Sequence, residues 1–311
     1  MRHPMLSGFS LCLVLAIGGC QASLPPLPAW QSSEGRTHAE LGKIVDLSNE
    51  QVISPETLVQ RLADAPRVLV GEKHDNPDHH ALQLWLLRAL QGQRTQGSLL
   101  LEMLQPGQQS RVDKLVGQPL PEDLPKALAW QEGWDWQLYG PIVTEALQHR
   151  VTLLAANLSP DEMRQAYRQP APVQGEQSNA PAVKAALLEQ VRAGHCGMLP
   201  ENQLPAMLAV QQQRDRRMAE RLQRHRSRRC CLPGLTMCAR TWAYPCIWLT
   251  WGCRGRARFC CWLRWASESS LARLIMCGTR RRCRSRIIVR SCGVDPEKAQ
   301  AKKRPGKLPG Q

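Results

Sequence analysis

Residues 71–80 hold the side chains of this sequence that are best suited to bind a metal ion or an iron-containing cofactor. The stretch reads Gly-Glu-Lys-His-Asp-Asn-Pro-Asp-His-His and contains three of the chain's eight histidines. Carboxylate and imidazole groups bind metal ions, and imidazole also binds haem iron. Glu72 and His74 are the strongest candidates, because a glutamate at the end of a buried strand needs polar partners. His79 and His80 are either further ligands or solvated residues at the start of a helix.

Five further candidates lie outside this loop. Glu102 and Asn157 each follow an apolar run, so both are predicted to lie at the end of a strand. Tyr139 ends an aromatic-rich segment that either walls a flat ligand or packs in the core, and tyrosine can also bind haem iron. His195 follows a predicted helix and either reaches the crevice or is an ordinary loop residue. Arg214 either binds a carboxylate or propionate or lies on a solvated helical face.

The elements that would position these residues form an α/β fold. Residues 67–72, 98–103 and 151–157 are continuous apolar runs, which is typical of parallel strands covered on both faces. Helical apolar spacing separates them, Pro141 is predicted to start a helix that continues through Ala146, and further helices are predicted over 181–193 and 203–224. We therefore expect a mostly parallel central sheet flanked by helices, in a domain spanning residues 40–224. Ligands of such sheets bind beyond the carboxyl ends of the strands, where the candidate residues would meet.

The first residues indicate export and a lipid anchor. A short basic start and a mostly apolar stretch over residues 6–17 are typical of a signal peptide, and the stretch is too short to span a bilayer. It ends in Gly-Gly-Cys, which predicts a signal peptide over 1–19 and lipidation of Cys20. Residues 20–39 are expected to form a tether rich in proline and serine. Gln21 favours the outer membrane, so we expect a location in the cell envelope.

The net positive charge of the chain comes from its C-terminal part. Residues 225–311 hold 20 Lys and Arg against 3 Asp and Glu, a net +17, whereas the first 224 residues hold 21 against 23, a net −2. The same segment holds ten of the 13 cysteines. A basic tail is typical of proteins that bind nucleic acid or anionic membranes. No apolar period persists in the segment, however, so we expect it to be disordered or non-native.

A shift of reading frame accounts for this composition. When the last base of each codon is joined to the first two of the next, residues 229–252 and 259–268 can read as hydrophobic strands that end in polar residues. Residues 274–281 can read Asp-Tyr-Val-Trp-Tyr-Thr-Pro. We therefore predict that 225–311 is translated out of frame from a GC-rich gene, and that the net +17 reflects no nucleic-acid partner.

The readable domain resembles the ChaN-like haem-binding lipoproteins of the Tiki-like superfamily. The resemblance covers about residues 40–224. It is carried by these pieces: residues 68–76 with His79 and His80, 101–103, 136–141, 155–157, 195–197, and 213–215 with Met218 and Ala219. It implies an α/β fold, haem as cofactor and a part in haem or iron acquisition. It also implies a later strand ending in Gly-x-x-His and a Trp-Tyr-Thr-Pro-like segment, which the shifted frame supplies and the present frame lacks.

Three functions follow from these observations. The first is a haem-binding lipoprotein for uptake or storage that leaves haem chemically unchanged, with a homodimer and an outer-membrane haem receptor as expected partners. The second is a metal-dependent hydrolase, because Gly-Glu-x-His also resembles sites in hydrolases of the same superfamily; Glu72 would then act as a general base. The third, binding of nucleic acid or anionic lipid, ranks last because the charge lies wholly in 225–311.

Overall fold

A computed structural model describes residues 23–33, 35–46, 49–65, 67–195, 197–224, 235–241, 257–262 and 274–277. Its elements, in chain order, are β1 (Ile44–Asp46), β2 (Gln51–Ile53), α1 (Pro55–Ala63), β3 (Arg67–Glu72), α2 (Pro77–Gln91), β4 (Gln96–Leu101), α3 (Gln109–Leu115), α4 (Leu124–Ala127), α5 (Trp136–Gln148), β5 (Thr152–Ala155), α6 (Pro160–Arg168), α7 (Pro181–Gly194), α8 (Leu204–Arg224), β6 (Leu235–Thr241), β7 (Ala257–Trp262) and β8 (Leu274–Cys277).

The eight described strands form one sheet at the centre of the domain. Its order is β2-β1-β8-β7-β3-β6-β4-β5. Five of the neighbouring pairs are parallel, whereas β1 with β2 and β7 with β8 are antiparallel. The predicted α/β fold with a mostly parallel sheet is therefore confirmed.

Helices cover both faces of this sheet. Successive residues of a strand point to opposite faces, so each strand contributes side chains to both helical layers. Val68 and Val70 of β3 pack in a cluster with residues of α2 and α5, such as Leu86 and Val143. Leu69 faces the other way, in a second cluster that includes Leu100, Leu154 and the α8 residues Met218, Ala219 and Leu222. Burial on both faces explains why the strands read as unbroken apolar runs.

Three strands fall within the segment 225–311, which we predicted to have no native structure. β6 lies between β3 and β4, and β7 pairs with the other edge of β3. Without them both edges of β3 and one edge of β4 would be unpaired, which is costly for buried strands. The strands overlap the three stretches in which the shifted frame reads as protein-like. The rest of the segment lies outside the described residues.

The N-terminal segment differs from the prediction of a tether over 20–39. Residues 23–33 lie along the domain, with Leu24 and Trp30 packed against the main core cluster. The indole N–H of Trp85 donates to the carbonyl of Pro25, at 2.8 Å. Trp85 is buried, so its N–H requires a partner, and the segment supplies it. Cys20 lies outside the described residues. Among those residues, no helix has the length and apolar character to cross a membrane.

Helix α5 begins earlier than the sequence indicated. We expected Pro141 to open this helix, as proline prefers the first turn. The helix instead starts at Trp136, and Pro141 lies inside it. Asp135 provides the N-cap, with its carboxylate accepting the amide of Gln137. This earlier start places Tyr139 on the helix rather than in the loop before it.

Candidate functional site

Glu72 is the centre of a buried polar cluster at the carboxyl end of β3. Its side chain is fully buried. One carboxylate oxygen accepts the Tyr139 hydroxyl at 2.5 Å and lies 2.9 Å from Nδ1 of His74, while the other accepts the Gln83 amide at 2.5 Å. Burial raises the pKa of Glu72, but the hydrogen bond from His74, the charges of His80 and His74 and the Tyr139 hydroxyl outweigh it, so the pKa is lowered overall. Glu72 is therefore a carboxylate at neutral pH.

Tyr139 holds its proton firmly beside this carboxylate. It lies on α5 and is 1% exposed. Burial and the neighbouring charges of Glu72, Glu102 and Asp75 raise the pKa of Tyr139 far above its ordinary value of 10. Its hydroxyl also lies 2.9 Å from Nδ1 of His74. A tyrosine binds iron as a phenolate, whereas the Tyr139 hydroxyl in this arrangement is held by Glu72 and His74; its role as an iron ligand stays a prediction.

His74 is the member of the cluster that solvent can reach. Its side chain is 36% exposed, and its ring stands edge-on to Trp134 with the centroids 4.7 Å apart. Nδ1 is engaged by Glu72 and Tyr139, so the second nitrogen, Nε2, is the one available to a ligand. A histidine held by a carboxylate through one nitrogen is typical of metal-binding histidines, because the carboxylate orients the ring and raises its basicity.

His79 and His80 hold the loop that carries His74. Nδ1 of His79 accepts the amide N–H of Lys73 at 2.8 Å. Nε2 of His80 lies 2.9 Å from the carbonyl oxygen of His74, to which it donates, and its Nδ1 is 3.7 Å from Glu72. Both histidines are buried. Their burial contradicts the solvated alternative and gives both histidines supporting contacts, and their role as ligands stays a prediction.

Glu102 and Arg214 form an ion pair near the Glu72 cluster. Glu102 follows β4 and is fully buried, and its carboxylate lies 3.8 Å from the Arg214 guanidinium. Arg214 also contacts the sulfur of Met163, at 3.1 Å. The Glu102 charge contributes to the raised pKa of Tyr139, so this pair belongs to the same electrostatic neighbourhood. Asn157 has a structural role: its amide donates to the backbone carbonyl of Glu102 and joins the ends of β4 and β5.

The remaining predicted site residues are not placed in this cluster. His195 lies at the end of α7, where its Nδ1 is 2.8 Å from the carbonyl of Val191. This bond is local to the helix end. Cys20, the predicted lipidation site, lies outside the described residues. In the part of the chain that the structure describes, no group of three or more His, Cys, Asp and Glu side chains is arranged to hold a metal ion.

Sequence reasoning missed two residues of the site. Gln83 donates to Glu72 from one turn beyond His79 and His80 on α2, so the helical period would have revealed it. Asp78 is 2% exposed and accepts the backbone amide of Gln31. No local pattern could show that contact, because its partner lies 47 residues earlier in the sequence.

Comparisons with known proteins identify the family of the chain. Residues 58–233 match the model of a family described as haem-binding uptake, Tiki superfamily, ChaN. That range covers more than half of the chain, so the protein is a member of a family of haem-uptake proteins. In particular, the chain belongs to the ChaN family of the Tiki superfamily. The match confirms the predicted family and, at the level of the family, haem as its cofactor.

The fold is similar to a solved structure described as cofacial heme binding to ChaN of Campylobacter jejuni. The TM-score is 0.61 at 22% sequence identity, and the match covers 76% of this chain and 96% of that chain. At this identity the similarity shows the shared fold. No curated protein matches the chain.

Proposed function

We propose that this protein binds haem at the carboxyl ends of β3 and β4, with Nε2 of His74 as the donor to iron. The observation that carries the proposal is the Glu72–His74 pair, in which a fully buried carboxylate holds a partly exposed imidazole by its Nδ1. The porphyrin itself supplies four nitrogen ligands, so one protein donor is enough for haem. A catalytic zinc ion takes three protein ligands, and the described residues offer no such group.

The surroundings of His74 suit a flat and partly apolar ligand. Trp134 stands edge-on to the imidazole of His74, and the Tyr139 ring stands edge-on to Trp134 with the two centroids 5.7 Å apart. Aromatic side chains commonly line pockets for ligands of this kind. Arg214 is the cation assigned to a haem propionate, because its guanidinium is partly exposed and its partner Glu102 lies close enough to the cluster to raise the pKa of Tyr139.

The place of action follows from the sequence of the first residues. We infer that Cys20 is lipidated and that the protein acts in the cell envelope, at the outer membrane, in uptake or storage of haem. A homodimer and an outer-membrane haem receptor are the partners that this role predicts. Replacement of Cys20 by serine should move the protein from the membrane fraction to the soluble envelope fraction, and retention of Cys20→Ser in the membrane would contradict lipid anchoring.

Titration with haemin tests the binding proposal. The protein should give a saturable Soret band, and His74→Ala should shift that band and weaken binding by about tenfold or more, as loss of one strong contact costs at least about 1.4 kcal/mol. His149→Ala is the matched control, because His149 is 60% exposed and contacts Glu145. Equal titrations of His74→Ala and the unmodified protein would rule out His74 as the donor. A colourless protein active as a metal-dependent hydrolase would favour the alternative function.

A further inference from the structure

We infer that residues 23–33 form a strap that positions the His74 imidazole through the first turn of α2. These residues follow the predicted lipidation site and were expected to be a passive tether. The inference rests on the proposed function only in the experiments that measure haemin binding. The contacts of the strap lie within the protein and are tested by amide hydrogen exchange without haem.

The first part of the strap is fixed beside the middle of α2. The Trp85 indole donates to the Pro25 carbonyl at 2.8 Å, and Trp85 is 4% exposed. Leu24 and Trp30 pack against the main core cluster. Burial of large apolar side chains is favourable in proportion to the area removed from water, and a freely moving tether would gain none of it.

The end of the strap is fixed by Asp78 at the start of α2. The Asp78 carboxylate accepts the amide of Gln31 at 2.6 Å and the amide of Ser32 at 3.3 Å. Arg36 closes the turn from the other side by donating to the carbonyls of Ser32 and Gln31, at 2.7 and 3.2 Å. Asp78 is 2% exposed. If the strap moved away, the buried Asp78 carboxylate would lose its amide donors but keep the free-energy cost of its removal from water. The position of the strap and the stability of the first turn of α2 are therefore coupled.

The helix start in turn fixes two peptide groups of the loop that carries His74, the one between Glu72 and Lys73 and the one between His74 and Asp75. Immediately after Asp78, His79 accepts the amide of Lys73 and His80 donates to the carbonyl of His74. Asn76 caps the same turn by accepting the amide of Asp78 at 2.9 Å. Consecutive contacts therefore lead from the strap through Asp78, His79 and His80 to the backbone of His74.

The strap also limits the distance between the domain and the lipid anchor. Three peptide steps separate Cys20 from the start of residues 23–33, and a fully extended chain covers about 3.3–3.6 Å per residue. The anchored cysteine would then lie within about 11 Å of the strap. A lipid-anchored domain of this kind stays close to the bilayer, with its haem site held by the segment nearest the anchor.

Asp78→Ala in the full mature chain tests the strap. We expect faster amide hydrogen exchange in residues 29–33 and, at the same time, in residues 73–76, together with a roughly tenfold higher Kd for haemin and a broadened Soret band. Asp78→Asn keeps an oxygen that accepts the Gln31 amide, so it should restore most of the protection. Asp161→Ala is the matched control, because the Asp161 side chain is 88% exposed on α6.

A second variant covers the case in which Asp78→Ala does not fold. Trp85→Phe keeps an aromatic ring and removes the donor to Pro25, so it should speed exchange at the amides of Leu24 and Leu27, which flank Pro25 and Pro26. His80→Gln should retain the donor to the His74 carbonyl, whereas His80→Leu should not, so the loss of protection at residues 73–76 should be larger in His80→Leu.

Faster exchange in 29–33 with no change in 73–76 would overturn the inference, as would equal effects of Asp78→Ala and Asp161→Ala. If the unmodified protein binds no haemin, the proposed function fails. The two exchange measurements would still decide whether the strap holds the His74 loop.

Discussion

Glu72 is the residue on which the candidate site depends most, because three hydrogen-bonding side chains converge on its buried carboxylate. His74, Tyr139 and Gln83 all contact it. Residue types alone identified Glu72 and His74, since a glutamate after an apolar run must find partners. The contacts of His79 and His80 with the backbone of Lys73 and His74 could not be predicted from their spacing. An imidazole can bind iron or hydrogen-bond to a backbone group, and the sequence pattern is the same in both cases.

Glu72→Gln should weaken haemin binding and reduce stability. The amide keeps the shape but carries no charge, and it presents a donor to groups that are themselves donors. Loss of a carboxylate partner behind a metal-binding histidine typically costs about 10–100-fold in affinity, so we expect a Kd increase in that range with the Soret band shifted. An unchanged titration would show that Glu72 does not orient the iron donor.

The same substitution should change the acid stability. The pKa of Glu72 is lowered from 4.5 in the folded protein, so its contribution is fully present above that value and is lost as the pH falls through the lower folded pKa. Urea unfolding between about pH 6 and pH 3 should therefore show a smaller loss of stability for Glu72→Gln than for the unmodified protein. An equal slope in both proteins would contradict the lowered pKa.

Tyr139→Phe should destabilise the fold. In the unmodified protein, the Tyr139 hydroxyl should ionise only at strongly alkaline pH. The substitution takes away a donor to a buried carboxylate, which costs about 1.5–3 kcal/mol. The pKa of Tyr139 is raised above 10, so its contribution is fully present below the unfolded pKa and is lost only as the pH rises toward the folded pKa. Urea unfolding at neutral pH measures the loss, and absorbance at alkaline pH should show one phenol of the unmodified protein resisting ionisation. If Tyr139→Phe leaves the number of late-ionising phenols unchanged, the assignment is wrong.

At the scale of elements, the strands and helices follow from the sequence where local patterns suffice. The apolar runs predicted the positions of β3, β4 and β5, and α7 and α8 begin and end within one residue of the predicted bounds. Pro141 was placed wrongly because Asp135 offers a capping side chain earlier. The docked course of residues 23–33 depends on Trp85 and Asp78, which are distant in sequence.

Helix α5 contains a position that tests the packing around Tyr139. A Cβ at Gly140 would lie 2.7 Å from the ring of Trp136, which is too close for two carbon atoms. Gly140→Ala should therefore be destabilising by about 1–3 kcal/mol through overpacking, measured by thermal or urea unfolding. Gly107→Ala is the control, because a Cβ at that residue would have no atom within 4 Å of it. Equal stability of the two variants would contradict the close packing of α5.

At the scale of the whole molecule, the sheet includes strands from a C-terminal segment whose composition is only partly protein-like. Residues 235–241 occupy an inner position between β3 and β4, yet the segment 225–311 carries a net +17 and ten cysteines. The family match ends at residue 233, near the start of the segment 225–311 that is predicted to be out of frame. β3, β4 and β5 could be predicted from their apolar runs, whereas β6, β7 and β8 could not, because the composition of 225–311 hides any apolar period.

We predict that resequencing the gene around codons 220–232 will reveal a shift of one base. The corrected chain should be more soluble and bind haemin more tightly than the chain in its present frame, because the present frame lacks the Gly-x-x-His strand end and the Trp-Tyr-Thr-Pro-like segment that the family resemblance implies. A confirmed reading frame together with a soluble, monodisperse product of residues 21–311 would contradict this prediction.

The identity of the iron donor is the central claim, and resonance Raman spectroscopy of the haemin complex tests it most directly. Protein labelled with ¹⁵N-histidine should show an iron–imidazole band in the ferrous complex that shifts with the label and disappears in His74→Ala. The Tyr139 hydroxyl should stay hydrogen-bonded to Glu72 and give no iron–phenolate band. A ferric phenolate band that shifts with labelled tyrosine and is lost in Tyr139→Phe would contradict the assignment of His74.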